Sequence, residues 1–164
     1  MHTQKLLALV LIFMISPVIP QEMRPVLTYQ SAKKIVDKCV EYADERSWRI
    51  SIAVHDGSND LLAFARMDGA AIGTHKTALW KADATAAFPI DTKIDADAVV
   101  EFPALAAAPH VAIFEGGLAV FTVSGVHIGG VGVSGARGSE DAECAKAGIT
   151  AAGLVVRDYN DEQD

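Results

Sequence analysis

The sequence has few of the features that announce a chemistry. It contains two cysteines in 164 residues and no C-x-x-C pair, which excludes a zinc ribbon or a dithiol redox motif. There is no H-E-x-x-H, no nucleophile elbow and no pair of carboxylates at a telling spacing; Ser134 sits in G-V-S-G-A, not G-x-S-x-G. Aromatic residues make up 7% of the chain and no basic run occurs, so neither a base-stacking platform nor a phosphate-neutralising surface is offered. The formal net charge of −7 points the same way. Nucleic acid is not an expected partner. No repeat or linker divides the chain, and its length suits one domain with one sizeable core.

What continuous apolar character exists lies at the start. "MHTQKLLALVLIFMISPVIPQ" has a polar opening with Lys5, an apolar run over residues 6–15, then Pro17 and Pro20. The run is too short for a comfortable bilayer span and has the layout of a secretory signal, although no A-x-A cleavage site follows. Residues 1–20 are therefore expected to direct export to a periplasmic or secreted location. Membrane attachment arises only if this segment stays uncleaved. In an oxidising compartment Cys39 and Cys144 are able to form a disulfide, since both fall on helical segments that can pack side by side. The other reading, two small buried hydrophobes, stays open.

Thr28 precedes apolar residues at helical spacing, which predicts a helix over residues 28–46. "RISIAVHD" alternates as a strand, "GSND" is a turn and "LLAFARM" its hairpin partner. The Ala-rich residues 74–88 predict a second helix stopped by Pro89. A short helix broken at Pro103 follows, then three β-rich runs: "VAIFE", "LAVFTV" and "VHIGGVGVSG". Ser139 is placed to cap a last helix with Glu140 and Asp141 in its first turn. Residues 154–164 read as a polar, frayed tail. Five strands on short connections predict a largely antiparallel sheet covered by helices, an α+β sandwich.

Gly130, Gly132 and Gly135 spell a literal G-x-G-x-x-G. A dinucleotide-binding reading fails because no strand with a ribose-binding acid follows, and because the first two glycines fall inside a strand. Two other uses remain. Gly129, Gly130 and Gly132 let a helix or another subunit approach the strand closely, or Arg137 and Ser139 hold an anion at the helix start.

The stretch "EGGLAVF…HIGGVGVSGARGSEDAECAKAG" combines a Gly-Gly turn, a strand ending in G-V-S-G and an acid-rich helix start. With "LTYQSAKKIVDKCVEYA", "ISIAVHDGSNDLLAFARMDGA" and "KTALWKADATAAF", in that order over residues 27–153, it resembles the GlcG/HbpS family. The resemblance implies a five-stranded antiparallel sheet of profilin-like arrangement and assembly into homo-oligomers, octamers among them. It also implies a haem-related role, because members of that family are extracellular haem-binding and iron-related proteins. Other members accompany glycolate metabolism, and a related domain is fused to corrinoid adenosyltransferases. Two positions depart from the pattern: Ala119 stands where Pro is usual, and His55 where an aliphatic residue is commoner.

Haem or another tetrapyrrole needs an apolar slot, one or two axial ligands and cations for its carboxylates. His75, at the start of the second helix, and His110, in a loop beside Pro109, are the candidate metal ligands; each also reads as a plain solvent-facing residue. His55 lies on the opposite sheet face from Ile52 and Val54, lining a covered pocket or serving as a satisfied core histidine. His127 reads as structural. Arg66, Lys76 and Lys81 are the candidate carboxylate partners, with at most one of the two lysines facing a common pocket. Arg66 pairing with Asp68 or Asp56 is the plainer alternative. Three functions stay open: an exported oligomeric binder of haem or a related small ligand, a small-molecule enzyme acting on a carboxylate metabolite or degrading haem, and an accessory subunit of an exported complex. The binder is favoured, because no catalytic constellation stands out.

Overall fold

A computed structural model describes residues 22–157; the expected signal at residues 1–20 and the last seven residues of the tail lie outside the described residues. Thr28 caps helix α1 (Tyr29–Asp44), its hydroxyl oxygen accepting from the Ser31 N–H. Strands β1 (Ser51–Asp56) and β2 (Leu61–Arg66) follow. Their turn is closed by the Asp56 carboxylate, which accepts from the Ser58 and Asp60 N–H groups. Next come α2 (Thr74–Ala87), α3 (Thr92–Glu101) and a 3-10 turn at Pro103–Ala107. Strands β3 (Gly117–Phe121) and β4 (His127–Ser134) and helix α4 (Gly138–Ala151) complete the fold. The strands form one antiparallel sheet in the order β2-β1-β4-β3. Helices α1 and α4 cover one face, and α2 covers the other.

The two faces of the sheet are filled in different ways. Against α1 and α4 lie large branched side chains, including Ile35, Ile50, Ile52, Val131, Val133 and Ile149. Against α2 there is almost no side chain at all. Ala53 meets Ala78 and Ala82, and beside them Gly130 and Gly132 bring β4 to backbone contact with the helix. A Cβ on Gly132 would collide with the Ala78 carbonyl oxygen, and one on Gly130 with Thr85 Oγ1 and the Ala86 nitrogen. Two of the three fingerprint glycines, Gly130 and Gly132, thus serve helix-to-sheet packing, while Gly135 lies with a left-handed φ of +143° against the Arg49 carbonyl and Ile50.

Among the described residues the sheet has four strands, not the five expected. "VAIFE" forms none: the Ala112 N–H is taken by the Asp95 carboxylate of α3, and the run passes over α2 as a loop. The outer edge of β3 is closed by side chains where a fifth strand would lie. Thr92 Oγ1 accepts from Gly117 N–H at 2.9 Å and Asp91 Oδ1 from Ala119 N–H at 2.9 Å. Only at the end of β3 does backbone return, with Phe121 and Val155 exchanging both hydrogen bonds. Leu154 and Val156 pack against the core, so the polar tail starts later than residue 154.

Cys39 of α1 and Cys144 of α4 are joined by a disulfide, which settles the alternative between a bridge and two buried hydrophobes. The cap of α4 is Arg137, not Ser139: the Glu140 carboxylate accepts from the Arg137 N–H at 3.0 Å.

Candidate functional site

Four side chains from three separate stretches of the sequence join into one chain of hydrogen bonds. His55 on β1 meets Asn59 of the β1–β2 turn, Nδ1 to Oδ1 at 2.9 Å. Asn59 Nδ2 donates to Asp83 Oδ1 on α2 at 2.7 Å, and Asp83 Oδ2 meets His110 Nδ1 at 2.8 Å. Chemistry dictates the direction of each bond. A carboxylate only accepts, so Asn59 must turn its NH2 to Asp83 and its oxygen to His55. Both imidazoles therefore donate from Nδ1 and present Nε2 outward from the chain. His110 is half-exposed, at 46% of its side-chain area. His55 is buried, and its Nε2 has no partner among the described residues.

Backbone strain falls in the same place. Ser47, Asn59 and His110 are the non-glycine residues with left-handed φ among those described, and two of the three belong to this chain. Such conformations cost of order 1 kcal/mol or more and persist where surroundings hold them. A bulge between Val54 and His55 adds a local irregularity at the buried end. At the exposed end, Phe114 of the His110 loop packs edge-on against Trp80, 5.9 Å between centroids. Trp80 stands one turn before Asp83 on α2, so aromatic surface and histidine share a side of the helix.

The other candidate residues are dispersed. His75 donates from Nδ1 to the Ile72 carbonyl at 2.6 Å. It precedes Asp83 by eight positions, which is about 12 Å of helical rise, so the structure does not bring His75 and His110 to one metal. Arg66 donates to the Ala70 carbonyl at 2.6 Å, not to Asp68 or Asp56. Lys76 is exposed beside His75. Lys81 is no surface cation: it is buried, donating to the Val133 carbonyl at 2.7 Å and pairing with Asp141 at 3.3 Å. Burial pushes the Lys81 ammonium pKa down and the Asp141 carboxyl pKa up. His127 is structural, donating to the Thr85 carbonyl. At Arg137 and Ser139, the Glu140 and Asp141 carboxylates already engage the Arg137 and Ala136 N–H groups, and an outside anion would face both. No cluster of three or more His, Cys, Asp or Glu suited to a metal ion exists among the described residues. Asn59 and Asp83 escaped the sequence reading, one looking like a turn residue and the other like a helix acid. The lone acid in "LWKADATAAF" was the available signal.

Residues 27–150 match the model of a family described as haem degrading protein HbpS-like. The chain belongs to the HbpS-like family. A solved structure of HbpS is 29% identical, with 79% of this chain and 92% of that one covered and a TM-score of 0.74. A Streptomyces reticuli HbpS double mutant is 28% identical over 82% of this chain and 95% of that one, with a TM-score of 0.73. A complex of PduOC with haem is 22% identical over 82% of this chain and 100% of that one, with a TM-score of 0.74, a likeness of fold. None of the curated proteins matches this HbpS-like chain in sequence.

Proposed function

We propose that this HbpS-like protein binds haem or a related tetrapyrrole, with His110 as the axial ligand and Asp83 as the group that orients it. The carrying observation is the Asp83–His110 bond, which commits Nδ1 and leaves Nε2 as the open nitrogen of a half-exposed ring. A carboxylate behind a ligating histidine fixes its tautomer and raises its basicity. The residues present fit the group: an oriented imidazole, neighbouring aromatic surface from Trp80 and Phe114, and exposed Lys76 nearer the start of α2, with no ion pair among the described residues. The solved PduOC–haem complex lends support at the level of the fold. When bound, the tetrapyrrole supplies the metal and its redox chemistry; the chain holds and orients it. Export and self-assembly belong to the same proposal. The Cys39–Cys144 disulfide favours an oxidising compartment, and exposed Phe64, Ile72 and Phe102 are surface that association would cover.

A haemin titration followed by absorbance tests the reading. The expected result is a saturable Soret shift that His110→Ala abolishes, Asp83→Asn weakens and His75→Ala leaves in place. Loss in His75→Ala with retention in His110→Ala moves the ligand to the other end of α2. A non-saturating response in the unaltered protein removes haem from the account.

A further inference from the structure

Where β3 lacks a strand partner, a cavity of about 490 Å³ opens between α3 and α4. Its floor is aliphatic: Ile94, Leu118, Ala142 and Val156. The charged groups on its rim are not equally committed. Lys93 pairs with Asp97 at 2.7 Å, Glu143 accepts from the Tyr42 hydroxyl at 3.3 Å, and Asp91 accepts from the Ala119 N–H. Every acid on the rim thus has a donor. Two rim cations, Lys146 and Arg157, form no ion pair among the described residues. Arg157 lies over the Phe121 ring, 4.6 Å from its centroid, which holds the guanidinium at the cavity without neutralising it.

We propose that this groove is a binding site for a small amphipathic carboxylate, its apolar chain on Leu118, Ile94 and Val156 and its carboxylate toward Lys146 and Arg157. The volume lies within the range of small-ligand pockets. Each rim acid already holds a donor, whereas the Lys146 and Arg157 donors are unspent among the described residues, so a carboxylate headgroup finds donors there, and a bare inorganic anion makes no use of the floor. The site is separate from the haem reading, since His110, Asp83, Asn59 and His55 line no part of it.

The test uses the full chain, ¹⁵N-labelled, titrated with sodium octanoate and separately with 1-octanol while amide spectra are recorded. The expected result is saturable shifts centred on Leu118, Ala142, Val156 and Arg157 with octanoate. About tenfold weaker binding is expected for 1-octanol, and for octanoate with Lys146→Glu, the loss from one charge-assisted contact. Ala142→Leu, which narrows the floor and leaves both cations, weakens both probes alike; its amide spectrum reports whether it folds. Equal affinity for acid and alcohol, shifts mapping elsewhere, or no saturation overturns the proposal. None of these outcomes bears on the haemin titration.

Discussion

Lys81 shows what a single residue can do that its position in a sequence does not announce. Five positions after Lys76 on an Ala-rich helix, it reads as a cation for a ligand's carboxylate, yet it is turned inward onto Asp141. Breaking such a pair from one side strands a buried charge, at a cost of about 3–5 kcal/mol. Lys81→Met is expected to lose that much in urea unfolding, and adding Asp141→Asn, which keeps an acceptor for the Ala136 N–H, is expected to recover part of it. Strictly additive losses would falsify the coupling. The pH dependence has a definite sign. Burial lowers the Lys81 pKa, so its contribution improves as pH rises through the native value toward the unfolded one. Burial raises the Asp141 pKa, so its contribution improves as pH falls through the native value toward the unfolded one. Acid therefore does not unfold the protein through Asp141, and that acid-side gain is absent in Asp141→Asn. At the histidines, Asn59 holds His55 as the Nδ1–H tautomer. Long-range ¹H–¹⁵N spectra are expected to show that tautomer in the native protein and a shift toward Nε2–H in Asn59→Ala; an unchanged tautomer means Asn59 does not set it.

At the scale of elements, the Gly-floored contact of α2 on β4 is the feature most exposed to test. Gly132→Ala puts a methyl against the Ala78 carbonyl, where backbone has to move. Overpacking of this kind costs about 1–3 kcal/mol, and thermal or urea unfolding is expected to show at least that. Gly73→Ala, in open space and with an ordinary φ of −79°, serves as the comparison and is expected to cost less. A Gly132→Ala protein as stable as the parent means that α2 does not rest on that glycine. Helix α1 and strand β1 were legible because their periodicities are strong: Ala32, Ile35, Val36 and Cys39 mark the stripe of α1, and the alternation of residues 50–55 marks β1; α2 was legible from its alanines and the Pro89 that stops it. "VAIFE" misled because a β-rich composition reports a segment suited to a strand without reporting what satisfies its backbone. Here the Asp95 carboxylate does. Likewise Asp91 and Thr92 looked like ordinary helix-start residues, and their second use, closing the edge of β3, depends on a tertiary approach that no local pattern encodes. The relay was half legible for the same reason. His55 and His110 stood out by type, whereas Asn59 and Asp83 acquire their meaning only when β1, the turn and α2 converge.

For the whole molecule, the order of stability follows from where the chain is tied. The Cys39–Cys144 bridge spans 105 residues and links the first helix to the last. It therefore encloses the sheet, α2, α3 and every member of the histidine relay. In the chain-entropy view a cross-link of this length restricts the unfolded ensemble strongly, and loss of a native disulfide from a small domain costs about 2–5 kcal/mol. The native contacts around it should survive its removal, since Ile35, Ala145 and Ile149 keep α1 and α4 on the same apolar core. Cys39→Ala with Cys144→Ala is thus expected to keep the amide spectrum of the folded protein while lowering its unfolding free energy in urea by that amount, and dithiothreitol should do the same to the parent. The size of the loss separates two roles. A drop of several kcal/mol makes the bridge a determinant of stability and favours a compartment that maintains it. A drop near zero means that the α1–α4 core alone holds the ends together, and the bridge then carries no argument for export.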